Sequence, residues 1–212
     1  MISARMNYSP ECEQAVNEVI QMHQAASLTY DHLAAICASE QTNMPGFCKF
    51  FRLCSLRTRS IAQYWIRWQT MRGGKACLGQ VRPLFDVNEF WKSGLNSLVQ
   101  LAVDTERKLE QQWRKLHQLM QNKSDIAGFE LVEHEHLQNQ VRVIDLLVSH
   151  CNGLHMSQCP YMYDRGTMLE LCKQIRRAVH RSQEQCDESK NTTHHCEENV
   201  LSFVSGISGK YL

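Results

Sequence analysis

No stretch of this chain approaches 18 consecutive apolar residues, so nothing in it reads as a membrane-spanning helix. The N-terminus, Met1-Ile2-Ser3-Ala4-Arg5-Met6, lacks the apolar core of a secretion signal. An excess of either charge is missing too: 23 Lys plus Arg stand against 22 Asp plus Glu, a formal net charge of +1. That balance supplies no global field for nucleic acid or an acidic membrane, and neither is expected as a partner. No segment shows the strand period or a hairpin signal, which points to an all-α fold. Ten cysteines are present (12, 37, 48, 54, 77, 151, 159, 172, 186 and 196), but none form the CxxC pairs that hold structural zinc. Cys37, Cys48, Cys54 and Cys151 fall at core-like positions, where a thiol behaves as a small hydrophobe. The expected compartment is therefore the cytoplasm. The sequons at Asn7, Asn122 and Asn191 keep the secretory pathway and a disulfide framework as the alternative, if a leader is missing.

What the chain does have is helical periodicity. From Pro10 to about Cys37, Val16, Val19, Ile20, His23, Ser27, Tyr30, Ala34 and Cys37 recur in steps of three and four and make one face. A loop over residues 39–45 follows. Phe47, Phe50, Phe51, Cys54, Thr58, Ile61, Trp65 and Trp68 then trace a second stripe, closed by Arg72-Gly73-Gly74. A turn that short makes the two helices antiparallel neighbours. Between Lys75 and Val87 the period is lost, which predicts a long crossover. The third helix is expected from about Asn88 to Gln121 through Leu95, Leu98, Ala102, Thr105, Leu109, Trp113 and Leu116. The fourth places Phe129, Val132, His136, Gln140, Val143, Leu147 and Cys151 inward. Short, long and short connections describe a four-helix bundle, assigned to residues 7–156. Residues 157–212 form a divergent end: an amphipathic helix from Thr167 to about His180, then a polar stretch from Ser182 to Asn199 with the composition of a disordered tail.

Several short motifs occur in a fixed order. Asn7-Tyr8 opens the first helix, Arg72-Gly73-Gly74 ends the second and Trp91-Lys92-Ser93-Gly94-Leu95-Asn96 opens the third. Leu116-His117-Gln118-Leu119 lies near the end of the third, Gln140-Val141 lies in the fourth, and Tyr161-Met162-Tyr163-Asp164-Arg165 follows it. In order and separation these resemble a eukaryotic ferritin of the heavy-chain lineage, over about three-quarters of the chain. The resemblance implies a ferritin-like bundle that assembles into a hollow cage storing iron as a ferric mineral. In catalytic members of that family Fe(II) is oxidised at a paired-iron centre of glutamates and one histidine, hard donors that suit Fe(III). At the corresponding positions this chain has His23, Thr58, Ile61 and Thr105, and of that site only Tyr30 and Gln140 match. One extra residue in the third helix allows Glu106 to face inward in place of Thr105. His23, Glu106 and Gln140 are thus a weak remnant that offers at most a single metal site.

Glu130 and Glu133, one turn apart, match the acidic pair that in ferritins lines a three-fold channel, and are the other metal candidates. Arg52, Arg57, Arg59 and Arg67 lie on the second helix, where related subunits carry the carboxylates that seed mineral. Glu133-His134-Glu135-His136 has the Glu-x-x-His spacing of di-iron bundles, but no second copy exists on another helix. His194-His195-Cys196-Glu197 lacks further fixed ligands. The expected protein is a non-catalytic subunit, assembling with itself or with a catalytic ferritin subunit, handling iron but no organic cofactor. The alternatives are an iron-independent structural or interaction protein on a degenerate ferritin fold, and an active ferroxidase.

Overall fold

A computed structural model describes residues 4–188, with the side chains of 87, 88 and 180–188 left undescribed. The Asn191 sequon, the 194–197 cluster, Cys196 and the polar tail beyond 188 lie outside the described residues.

Helix α1, Pro10–Ala38, starts where the Ser9 hydroxyl accepts the Cys12 N–H at 3.2 Å and Pro10 takes the first turn, needing no N–H partner. Helix α2, Pro45–Met71, runs back against it and ends at Gly73, whose φ of 75° favours glycine. The crossover then climbs along α1 through a ladder of side chains. Asn17 Nδ2 donates to the Lys75 carbonyl, Cys77 N–H to Asn17 Oδ1, Gln21 Nε2 to the Gln80 carbonyl and Leu84 N–H to Thr29 Oγ1, at 2.9–3.1 Å. A 3-10 turn, Val87–Lys92, completes it, so α3 spans Leu95–Asn122 and starts about two turns later than its periodicity suggested. The Gly94 N-cap, in an extended conformation, separates the two pieces.

Helix α4 comprises Ile126–Leu131, a wider π turn over Val132–Leu137, and Gln138–Met156. Helix α5 is likewise composite: Pro160–Tyr163, a π turn over Asp164–Met168, and Leu169–Glu188. It is longer at both ends than the amphipathic segment read from sequence. Its buried Met168, Leu171, Cys172 and Ile175 join the core formed by the starts of α2 and α3 and the ends of α1 and α4. Fully buried Asp164 accepts the Gly46 and Phe47 N–H groups at 2.9 and 2.7 Å and so caps α2 from 118 residues away. A Cβ on Gly46 would lie 2.4 Å from the Asp164 carbonyl oxygen, so only glycine permits this approach.

The interior divides into two apolar clusters. One gathers Tyr8, Val16, Ile20, Ile61, Trp65, Trp113 and Val132; the other gathers Tyr30, Leu33, Phe47, Phe51, Leu98, Leu147 and Ile175. Between them, at the same height on all four helices, lies a buried polar layer: His23 and Ser27 from α1, Ser55, Arg57 and Thr58 from α2, Thr105 and Glu106 from α3, His136 and Gln140 from α4. Cys12, Cys37, Cys48, Cys54, Cys151 and Cys172 are buried free thiols, and Cys77 and Cys159 are exposed ones.

Candidate functional site

The polar layer is where the sequence-predicted residues converge. Glu106 and Thr105 are both fully buried, so the register question resolves with both side chains inside the bundle. Thr105 hydroxyl donates to its own helix, to the Leu101 carbonyl at 2.9 Å, and Thr58 does the same to Cys54 and Ser55 at 3.1 and 3.0 Å. Each hydroxyl proton is thus spent on its own helix, and what remains toward the centre is a neutral oxygen rather than a carboxylate. Glu106 holds the centre instead: its carboxylate accepts Arg57 Nη2 and Gln140 Nε2, each at 2.5 Å, and the Tyr30 hydroxyl.

Arg57 departs from the sequence reading, which grouped it with Arg52, Arg59 and Arg67 on the second helix where related subunits carry the carboxylates that seed mineral. Those three are exposed, whereas Arg57 is 4 % exposed and its guanidinium is drawn inward by Glu106. Periodicity could not show this, because the Arg57 neighbours Ser55 and Thr58 are themselves polar and the whole layer lacks the apolar mark of a core. Burial by itself would raise the Glu106 carboxyl, but the Arg57 charge and the hydrogen bonds from Arg57, Tyr30 and Gln140 hold it below the ordinary value of 4.5. Burial likewise favours losing the Arg57 proton, and Glu106 reverses that, so both groups stay charged. Tyr30, buried and beside that carboxylate, remains a phenol.

Two histidines flank the pair. His23 Nδ1 lies 3.0 Å from the Val19 carbonyl and so carries the proton, leaving Nε2 with no partner among the described residues. Burial pushes His23 down to about 4. His136 Nε2 accepts from Trp65 Nε1 at 2.9 Å, and its ring stacks on Trp113 with centroids 4.2 Å apart. Burial, then the nearby His23 and Arg57, hold it well below 6.5. A cavity of about 10 Å³, lined by Arg57, Ile61, Trp113, Glu135, His136, Asn139 and Gln140, has room for roughly one water. Among the described residues no three His, Cys, Asp or Glu side chains come together as metal ligands.

The acidic pair sits elsewhere. Glu130 is exposed at the end of the first segment of α4, and Glu133 Oε2 lies 3.8 Å from His117 Nε2. The His117 ring stacks on Phe129 at 4.2 Å, so α3 and α4 bring one imidazole to that edge. Sequence reasoning named the Leu116-His117 motif without giving His117 this place.

A family profile described as Ferritin-like domain matches residues 13–156. The chain is 29 % identical over 170 residues to the ferritin middle subunit of Salmo salar, across 77 % of this chain and 95 % of that relative. It is 30 % identical over 168 residues to the soma ferritin of Lymnaea stagnalis, across 78 % of this chain and 95 % of that relative. With the ferritin light chain of Oryctolagus cuniculus the identity is 28 % over 170 residues.

Proposed function

The chain belongs to the ferritin family, and from that premise we propose that it is a non-catalytic subunit of a ferritin-type cage, serving iron storage without oxidising Fe(II) itself. The observation that carries the proposal is the Arg57–Glu106 ion pair. The donors at mid-height do not fit a pair of irons. The one carboxylate there is already neutralised by a buried guanidinium, Thr58 and Thr105 are turned onto backbone carbonyls, and Ile61 contributes only hydrocarbon. Two polyvalent ions would add at least four positive charges to a layer that holds one fixed cation and a single compensating anion. Iron enters this reading as cargo. Glu130 and Glu133, with His117 behind them, are proposed to line the channel by which it is admitted, three copies together supplying six carboxylates.

Assembly with copies of itself or with a catalytic ferritin subunit follows from the same reading. A second reading, an iron-independent structural or interaction protein, is favoured by the length of α5, which packs along the start of α2 and continues to Glu188. Two measurements decide. Purified protein should accelerate Fe(II) oxidation little above buffer, and a rate near that of a catalytic ferritin subunit overturns the non-catalytic assignment. Size-exclusion chromatography with mass measurement should give a large closed oligomer, alone or after mixing with a catalytic subunit; a monomer or dimer in both cases selects the second reading.

A further inference from the structure

A groove of about 450 Å³ opens at the end of the bundle where the crossover arrives, α3 begins and α4 ends. Its apolar lining is Phe85 and Phe90 of the crossover and the buried Leu101 of α3. Two contacts hold this frame. Lys108 Nζ sits 3.7 Å from the centroid of the Phe85 ring and donates to the Leu84 carbonyl at 3.3 Å, and the Cys151 thiol donates to Gln100 Oε1 at 3.9 Å. The second contact sets α4 beside α3, so that His155, one turn further along α4, lines the same groove. The volume is that of a site for a small organic molecule rather than for an ion or a single water.

The polar groups of the lining differ in how far they are satisfied. Gln100 Nε2 donates to Asp104 Oδ1 at 3.1 Å, and Arg107 Nη1 lies 3.4 Å from the same oxygen. The carboxylate of the groove therefore has a cation beside it already, and the lining selects neither a cationic nor an anionic ligand. Asn96, at the second position of α3, differs: its Oδ1 is buried with no hydrogen-bond partner among the described residues. A buried acceptor left unmatched is costly, and a donor brought into the groove removes that cost. The terminal torsion of an asparagine is soft, so the amide can turn its oxygen toward such a donor. Two phenylalanine rings favour an aromatic partner packed offset or edge-on. The ligand these features fit is a neutral, flat, apolar ring with one N–H or O–H.

We propose that this groove binds a neutral aromatic compound bearing a single N–H or O–H donor, its ring against Phe85, Phe90 and Leu101 and its donor on Asn96 Oδ1. The groove shares no residue with the buried polar layer, and binding there does not depend on whether the chain stores iron. The test is calorimetric titration of the full chain, in the oligomeric state in which it purifies, with indole and with 1-methylindole, which has the same ring system and no donor. Wild type should bind indole at least tenfold more tightly than 1-methylindole, a comparison that needs no variant. Asn96→Leu should bind the two compounds alike, with indole weakened at least tenfold. Asn96→Asp keeps an acceptor and suits the first turn of a helix, so it should retain the preference for indole. Ser97 is an exposed residue of the lining, and Ser97→Trp, whose ring would fill the groove, should bind neither compound. Circular dichroism and melting temperature should match wild type in all three variants. No indole binding at millimolar concentration, equal wild-type affinity for the two compounds, or unchanged indole affinity in folded Asn96→Leu or Ser97→Trp overturns the proposal.

Discussion

Replacing Arg57 by Leu removes the only cation that the described residues place in the bundle's polar layer and leaves the Glu106 carboxylate fully buried with Tyr30 and Gln140 as donors. Breaking one side of a buried pair costs about 3–5 kcal/mol, because the remaining charge has neither water nor counter-ion. For a domain of this size that corresponds to a fall in Tm of roughly 10 °C. The double variant Arg57→Leu/Glu106→Leu removes both charges and should regain most of the loss. The pH dependence separates this from a simple packing defect. In the wild type the Glu106 carboxyl is held below its ordinary 4.5, so its contribution is full above that value and is lost as pH falls through it. In Arg57→Leu, burial wins and the carboxyl rises above 4.5, so the sign reverses. The variant should then lose stability as pH climbs from about 5 to 8, a range in which the wild-type carboxyl contributes a constant amount. Urea unfolding followed by circular dichroism, at matched oligomeric state, measures both effects. An Arg57→Leu loss below about 1 kcal/mol, or a double variant no better than the single one, refutes the placement of this pair at the heart of the fold.

Other outcomes follow from the same geometry. His23 stays neutral in the folded core down to about pH 4, while the unfolded chain takes up its proton near 6.5. Stability should therefore be full above pH 6.5 and fall by about 3 kcal/mol toward pH 4 from this residue alone; His23→Leu should flatten that slope in urea unfolding across the window. Asp164→Ala strips two buried N–H groups of their acceptor and should cost about 3 kcal/mol, with amide exchange accelerated first at residues 46 and 47. If a cage forms, Glu130→Gln/Glu133→Gln should slow iron uptake severalfold with assembly unchanged; an unaltered uptake rate removes the channel role.

The four stripes were legible because each helix buries a face wide enough to leave a period of three and four, and Val16, Ile20, Tyr30, Phe51, Trp65, Leu98, Trp113 and Leu147 all lie in the core as that period required. Family membership was legible from motif order. The start of α3 was not, since Asn88 to Lys92 occupies a 3-10 turn whose short spacing mimics a first helical turn. Nor was the inward turn of Arg57: a cation on an otherwise basic helix reads as solvated until its partner on α3 is located. Glu106 itself was legible only as one of two adjacent candidates, and the structure buries both. The Asp164 cap joins residues too far apart in sequence for any local signal, although Pro45-Gly46 without a Ser, Thr, Asp or Asn before it did leave α2 short of an acceptor.

That cap also orders events in time. Helices α1 and α2 can pair as soon as the first seventy or so residues are made, because their contacts are local and joined by a short turn. The leading turn of α2 nevertheless lacks its acceptor until Asp164 arrives, 118 residues later in the chain. Folding of the α1–α2 hairpin and docking of α5 are thus stitched together, and a nascent chain halted before residue 164 leaves the Gly46 and Phe47 N–H groups without their carboxylate acceptor at the spot where α5 lands.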